Sequence, residues 1–394
     1  MRKNYNHTIY ACYLAYVVQA IINNFAPLLF LTFVAEYEMG LDKITLITTI
    51  NFLVQLLVDL ISAKAIDKVG YRAALVFGHG CAALGLICMA VLPDMFADPY
   101  VGILVSVILY AIGGGLMEVL VSPVVEACPT EKKEAAMSLL HSFYCWGHVG
   151  VVVISTLFFA VFGITNWKIL ACIWAIVPGI NMFYFCLVPI YSVLGAHEKL
   201  SLSKLLSQKI FWLLILLMIC AGASEQAMSQ WASAFAESAL HISKVWGDLA
   251  GPCAFAICMG TARAIYGKYS EKIPLMKMMI MSAGLCILCY LFTSLSGIPL
   301  LSLIGCAICG FSVGIFWPGT FSLAAKRLPG GGTAMYALMA LAGDLGCSSG
   351  PTVVGMTASC FSGKLAVGIL CAVLFPIMML IGLWRMGKNT EGME

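Results

Sequence analysis

The stretch PYVGILVSVILYAIGGGLMEVLVSPVVEA, residues 99–127, is apolar along almost its whole length and carries Glu118 and Glu126 as its charged residues. About 20 mainly apolar residues suffice for a helix to cross the hydrocarbon core of a bilayer. The run is too continuous for a strand of a membrane barrel, in which apolar and polar residues alternate. It therefore predicts a membrane-spanning helix with a carboxyl group inside it.

The rest of the chain has the same character. Of its 394 residues, 61% are hydrophobic and 10% are charged, whereas about 25% of the residues of a soluble domain are charged. This composition excludes a soluble domain and a disordered chain, and the net charge of +3 is too small and scattered for binding nucleic acid. At about 33 residues for each span with its connection, twelve spans fit. We predict them at 7–36, 44–66, 71–93, 99–127, 134–162, 167–191, 209–237, 246–270, 275–295, 297–325, 333–358 and 362–385.

The predicted spans fall into two halves. Segment 192–208 is the longest polar connection, and it separates an N-terminal half, 1–191, from a C-terminal half, 209–394. The halves resemble each other at an offset of about 199 residues, so that GGLMEVLVSP (114–123) aligns with VGIFWPGTFS (313–322). Duplicated six-span halves predict a substrate site between them near the middle of the membrane.

Positive charge is concentrated on one side of the predicted membrane. Of the 22 lysines and arginines, Lys43, Lys168, Lys244 and Lys364 fall in connections on the side opposite the termini, and Arg263 lies within a span. Because cytoplasmic loops carry the excess of Lys and Arg, we predict a multi-pass protein of the cell (inner) membrane with both termini in the cytoplasm.

The connection between the second and third spans carries a recognisable pattern. Residues 63–72, AKAIDKVGYR, resemble the loop motif G-x-x-x-D-[RK]-x-G-[RY]-R of the major facilitator superfamily, with Ala63 at the first glycine position. A weaker copy lies at 267–272 in the second half. The resemblance implies an all-α membrane protein with twelve transmembrane helices in two pseudo-symmetric six-helix halves. It also implies solute transport by alternating access.

Two further stretches resemble the fucose permease group of proton-coupled sugar symporters within that superfamily. Residues 115–123, GLMEVLVSP, are similar to its G-x-x-E-x-x-x-N-P pattern, with Ser122 at the Asn position. Residues 140–147, LHSFYCWG, are similar to its N-x-x-x-x-F-x-x-x-G stretch. Asn23 and Asn24 stand in the first span, where those permeases carry an acidic residue. The resemblance implies uptake of a sugar together with a proton.

Acidic residues within the spans are the candidates for proton coupling. An ionised side chain at the bilayer centre costs at least about 2.5–3.5 kcal/mol, so such residues usually face a cavity or a partner. Desolvation favours the neutral form of a carboxyl group, so Glu118 could bind a proton on one side and release it on the other. The alternative is a protonated Glu118 that bonds a neighbouring helix. Glu225 is a candidate for proton or substrate binding, and Asp344 could be a second coupling acid, an ion ligand or a packing partner.

Charged residues nearer the cytoplasmic ends of spans are candidates for gating. Asp59, Glu126 and Arg263 lie within the inner part of spans, and Asp67 and Arg72 belong to the loop motif. Ion pairs among such residues could lock the cytoplasmic side while the outside is open. The alternative is that these side chains extend to the membrane interface.

Amide and aromatic residues within the spans are the candidates for substrate binding, because sugar hydroxyls need donors and acceptors and a pyranose face needs an aromatic plate. The alternative is hydrogen bonding between helices. The candidates are Tyr16, Gln19, Asn23, Asn24, His141, Trp146, Gln226, Gln230, Trp231 and Trp317. The pairs Gly310/Gly314 and Gly346/Gly350 have the spacing that permits close helix packing.

The sequence therefore predicts a monomeric secondary transporter that takes up a small polar solute, most simply a sugar, by proton symport. Proton-coupled efflux of amphiphilic compounds and sodium-coupled uptake, with Asp344 and Glu225 as ligands, remain open. A non-transporting membrane sensor is the alternative from another class. No G-x-x-x-x-G-K-[ST] motif is present for ATP. An intramembrane enzyme would need a nucleophile–base pair or a metal cluster, and the one local candidate, His141 with Ser138 or Cys145, lacks an identifiable oxyanion device or lipid-facing entry. The 17 cysteines predict buried free thiols, and we expect no metal and no cofactor.

Overall fold

The computed structural model of the chain describes residues 4–130, 133–191, 202–269, 274–328 and 332–391, and all regular structure in these ranges is helical. Two compact units are present, Met1–Gly195 and Ala196–Glu394. Residues 192–201 of the predicted connection and 270–272 of the second loop motif lie outside the described residues. The side chains of residues 267–269 also lie outside the description. The predicted all-α membrane fold is confirmed.

Two of the long apolar helices of the first unit begin at polar N-caps. Asn4 accepts a hydrogen bond from the backbone of Asn6, and Asp98 caps the helix that starts with Pro99. The helices are α1 (Tyr5–Asn24), α2 (Phe30–Tyr37), α3 (Leu41–Val69), α4 (Tyr71–Met95), α5 (Pro99–Ala127), α6 (Lys133–Phe162) and α7 (Trp167–Leu187), with 3₁₀ turns at Ala26–Leu29 and Ile164–Asn166.

The second unit has more interruptions. Its helices are α8 (Leu202–Leu206), α9 (Lys209–Ser229), α10 (Ala232–Ser238), α11 (Lys244–Asp248), α12 (Ala254–Tyr269), α13 (Leu275–Leu295), α14 (Pro299–Val313), α15 (Phe316–Arg327), α16 (Gly332–Cys360), α17 (Leu365–Ala372) and α18 (Leu374–Glu391). A π-helical turn, Leu249–Cys253, joins α11 to α12.

Eleven helical segments among the described residues are long and apolar enough to cross a membrane. They match the predicted spans other than 333–358, which corresponds to the 29-residue helix α16. That helix is long enough to cross, but glycine, serine, threonine and Asp344 dilute its apolar residues. The protein is therefore a multi-pass membrane protein in which the span formed by α16 is less apolar than the others.

Proline divides several predicted spans into two pieces, which corrects their expected continuity. Pro27 lies in the 3₁₀ turn that interrupts span 7–36, and Pro252 lies in the π-helical turn at the start of the eighth span. Pro318 follows the break between α14 and α15, and it has no N–H for the carbonyl of Gly314 four residues earlier. Backbone groups freed inside a membrane need another partner, because lipid supplies none.

Glycines let α9 and α16 approach each other in the second unit. A Cβ at Gly222 would overlap the backbone oxygen of Gly343, and a Cβ at Gly346 would overlap that of Ile219. The predicted close-packing role of Gly346/Gly350 is confirmed, since Gly350 lies against the backbone of Ala223 in the same way.

Candidate functional site

Polar side chains of α1, α5 and α6 meet inside the first unit. Gln19 Nε2 donates to Glu118 Oε2 over 2.7 Å, and the hydroxyls of Tyr16 and Ser122 are 3.1 Å apart. The ring of His141 packs edge-on against Tyr16 with centroids 5.4 Å apart. The structure therefore brings the predicted coupling acid Glu118 together with predicted substrate residues.

The next turn of α1 extends this cluster to α3. Asn23 Oδ1 accepts hydrogen bonds from Asn51 Nδ2 at 3.1 Å and from Gln55 Nε2 at 2.9 Å. Asn51 and Gln55 were not among the predicted site residues. Their spacing of four residues, which places both amides on one face of a helix, was the available signal. We call Tyr16, Gln19, Asn23, Asn51, Gln55, Glu118 and Ser122 the first-unit cluster.

Two predicted substrate residues of the first unit have different surroundings. Asn24 donates to the backbone oxygen of Ala20 in its own helix, so its amide is used locally. Trp146 is 56% exposed and lies on α6 in an exposed apolar stripe with Leu139 and Leu157. A stripe of this kind suits lipid contact, so the proposed substrate role of Trp146 gains no support from its position.

Charged and amide side chains also meet in the second unit. Arg263 Nη2 lies 3.7 Å from Glu225 Oε2. Gln226 Nε2 donates to Glu225 Oε1 at 3.2 Å, and Gln230 Nε2 donates to Gln226 Oε1 at 3.0 Å. Two residues that were predicted separately, as a coupling acid and a gate, thus form one ion pair. We call Glu225, Gln226, Gln230 and Arg263 the second-unit cluster.

Arg263 also stabilises the break between α14 and α15. Its Nε donates to the backbone oxygen of Gly314 at 3.3 Å. This is the carbonyl that Pro318 cannot bond. One guanidinium therefore serves both a buried carboxylate and a backbone group exposed by a helix break.

The remaining predicted residues of the second unit are mainly packed. Trp231 is fully buried and donates its indole N–H to the backbone oxygen of Pro351 at 3.0 Å, so it is not an open plate for a solute. Trp317 is half-buried, and its ring fills the space beside Gly343. Gly343 immediately precedes Asp344 in the sequence. Asp344 is 2% exposed, which agrees with a packing partner as well as with a coupling acid.

The predicted gating residues of the first unit have different surroundings. Asp59 is buried, Glu126 is exposed, and the side chain of Asp67 lies outside the described residues. Arg72 donates to the backbone oxygens of Phe185, Cys186 and Val188 at the end of α7. These are carbonyls that a helix end leaves without intrahelical partners, so the structure gives Arg72 a capping role, and gating stays a prediction.

The capping role of Arg72 has a testable consequence. Arg72→Ala is expected to destabilise the first unit by about 1–3 kcal/mol, because three carbonyls at the end of α7 lose a charged donor. Arg72→Lys should recover only part of this loss, since an ammonium group cannot reproduce the planar fork of the guanidinium. Apparent melting temperatures of the detergent-solubilised proteins test this order. Equal stability of all three proteins would contradict the capping role.

The amide and hydroxyl groups of these clusters suit recognition of a hydroxylated solute. The described residues contain no group of three or more His, Cys, Asp or Glu side chains placed to hold a metal ion. Amide and hydroxyl groups offer both donors and acceptors.

Comparison with known proteins agrees with this arrangement of helices. The family model described as the Major Facilitator Superfamily matches residues 12–351. No curated protein matches the sequence. Among solved structures, the fucose:proton symporter of E. coli is similar with a TM-score of 0.66 at 16% identity, covering 96% of this chain and 98% of that one.

Two other transporters have similar folds. A D-xylose–proton symporter has a TM-score of 0.74 at 12% identity, covering 97% of this chain and 96% of that one. A bacterial homologue of the human lysosomal transporter Spinster has a TM-score of 0.72 at 12% identity, covering 98% of both chains. At these identities the likeness establishes the fold, and the family match establishes transport rather than enzymatic activity. The chain belongs to the major facilitator superfamily of membrane transporters.

Proposed function

We propose that this transporter takes up a small polar solute, most simply a sugar, together with a proton. The observation that carries the proposal is the 2.7 Å hydrogen bond between Gln19 and Glu118 within a cluster of amides and hydroxyls. A carboxyl group inside a membrane helix that bonds neutral amides can exist with or without its proton. It therefore has the property that a coupling site needs.

Glu118 suits proton coupling better than Glu225 does. Glu225 has Arg263 as an ionic partner at 3.7 Å, and losing its negative charge would leave the guanidinium uncompensated. Glu118 accepts a hydrogen bond from the neutral amide of Gln19. Proton binding at Glu118 would change the net charge of its cluster, as a coupling site requires.

A sugar agrees with the chemistry of the clusters. Tyr16, Gln19 and Gln230 offer hydroxyl and amide groups for hydroxyl recognition, and such groups are arranged along helix faces rather than as isolated residues. The similar structures of a fucose:proton symporter and a D-xylose–proton symporter support this class of solute and of coupling ion.

Orientation, localisation and assembly belong to the same proposal. The excess of lysine and arginine on the side of the termini supports cytoplasmic termini in the cell (inner) membrane. We expect a monomer whose halves are 1–191 and 209–394, joined by a cytoplasmic connection at 192–208.

The test is transport by purified protein in liposomes that contain a pH-sensitive dye. Hexoses, deoxyhexoses, disaccharides and polyols are added outside, one at a time. At least one should acidify the lumen with wild-type protein. In Glu118→Gln this solute-dependent acidification should fall to the level of protein-free liposomes, because the amide cannot release a proton.

The matched control is Glu38→Gln, which makes the same chemical change at an exposed position of the first unit. It should retain wild-type acidification. Unchanged proton entry in Glu118→Gln would exclude Glu118 as the coupling residue. No proton entry with any sugar, in protein shown to be folded, would reject sugar–proton symport and leave efflux and sodium coupling to be tested.

A further inference from the structure

Two buried amide oxygens of α3 have no hydrogen-bond partner among the described residues. They are Asn51 Oδ1 and Gln55 Oε1. The residues are 4% and 1% exposed, and the nitrogens of both amides donate to the same atom, Asn23 Oδ1. Because both nitrogens are held on Asn23, both oxygens remain available for another ligand.

Buried acceptors without a partner are rare, and each loses the hydrogen bonds that water would have supplied. Asn51 and Gln55 are four residues apart on α3, so their side chains lie on one helix face. Because the nitrogens of both amides donate to Asn23 Oδ1, the two oxygens indicate a site for a group that interacts with oxygen lone pairs.

Negative charge flanks these oxygens. Asp59 follows Gln55 by one turn of α3 and is 5% exposed. Gly114 of α5 lies against the amide of Gln55, and a Cβ there would come within 3.0 Å of Oε1. Glu118 follows Gly114 by one turn of α5. Carboxyl groups one helical turn away on α3 and on α5 favour a positive occupant over a neutral one.

The occupant must also be small. Gln55 donates to Asn23 of α1 and its oxygen lies against Gly114 of α5, so the space beside this oxygen is limited. Carbonyl-type oxygens suit hard cations. The nearest oxygens belong to neutral amides, which favours a monovalent ion over Ca²⁺. Calcium ions in proteins are usually coordinated directly by carboxylates.

We propose that Asn51 Oδ1 and Gln55 Oε1 are ligands of a sodium ion bound inside the first unit, with Asp59 and Glu118 supplying compensating charge. This site goes beyond the proposed proton symport and does not depend on which solute is carried. Sodium bound here would link α3 to α1 and α5, the helices that also hold the Gln19–Glu118 contact.

The test uses solubilised wild-type protein and sodium alone, with no solute. The apparent melting temperature is measured as NaCl replaces choline chloride at constant ionic strength. Sodium that binds only the folded protein raises the melting temperature with a saturable dependence on its concentration. Direct binding of radioactive sodium to the same protein gives a second measurement.

The informative variant is Gln55→Met, which keeps the length of the side chain and removes its oxygen. It should raise the half-saturating sodium concentration by at least about tenfold, as expected for losing a bond to a charged group. Gln55→Glu keeps an oxygen and adds charge, so it should bind sodium at least as tightly as wild type. Thr45→Val on the same helix removes a hydroxyl that bonds only Leu41 in the described contacts, and it should leave sodium binding unchanged.

Either of two results would overturn the proposal. One is a wild-type protein in which sodium and choline have the same effect, as an enclosed water would give. The other is Gln55→Met retaining the wild-type half-saturating sodium concentration. Failure of sugar–proton symport in liposomes would leave these results unaffected, because no solute and no proton gradient enter the measurement.

Discussion

Arg263→Ala is expected to destabilise the second unit by about 3–5 kcal/mol, the range for removing one partner of a buried ion pair. The apparent melting temperature should fall on the order of 10 °C. Arg263 is 3.7 Å from Glu225, and it also bonds the Gly314 carbonyl that Pro318 leaves without an intrahelical donor. The single substitution therefore removes both the ionic partner of Glu225 and a hydrogen-bond donor to the Gly314 carbonyl.

A double-mutant cycle separates these two losses. Glu225→Gln with Arg263→Ala removes both charges, so the doubly substituted protein should be more stable than Arg263→Ala alone. Arg263→Lys keeps the charge near Glu225 but has no Nε–H for Gly314, and its stability should lie between wild type and Arg263→Ala. If the two single substitutions have additive effects, Glu225 and Arg263 do not interact energetically and the ion pair is incidental.

This pair also shows why the sequence could predict the separate residues but not their contact. Glu225 and Arg263 are conspicuous because charges inside apolar spans are rare. Their pairing depends on how α9 and α12 pack, and neither the hydrophobic pattern nor the residue spacing specifies that packing. Opposite charge in two spans was the available signal, and it would have favoured an ion pair over separate coupling and gating roles.

The helical fold was more predictable than the site. Long apolar runs require helices in a membrane because every backbone group must be bonded internally. The same physics explains the errors, since Pro27, Pro252 and Pro318 interrupt spans that hydrophobicity alone reads as continuous.

In the first unit, residue type identified the members and geometry supplied the connections. Glu118, Gln19 and Asn23 were predicted because polar side chains within spans seldom face lipid. The contacts of Asn23 with Asn51 and Gln55 required the register of α1 against α3. Trp231 was predicted to bind a solute because an indole can pack against a sugar ring. In the structure its indole N–H donates to the backbone oxygen of Pro351, so the side chain takes part in helix packing instead.

The other large effect is expected from Gly346→Ala. A Cβ at Gly346 would overlap the backbone oxygen of Ile219 and lie 2.9 Å from the backbone nitrogen of Ala223. Backbone atoms cannot rotate away as a side chain can, so α9 and α16 must separate. We expect a loss of about 3 kcal/mol, at the upper end for an overpacked interior, and a decrease in apparent melting temperature of about 6–12 °C.

Gly284→Ala is the matched control for this substitution. Gly284 lies inside α13 of the same unit, and a Cβ there would have no neighbour within 4 Å. Alanine has the higher helix propensity by about 1 kcal/mol, so the control should be as stable as wild type or slightly more stable. Equal losses at the two positions would mean that the loss does not arise from backbone contact at Gly346, and they would contradict close packing of α9 and α16. A loss confined to Gly346→Ala would show that backbone contact at this glycine stabilises the helix pair that carries Glu225 and Asp344.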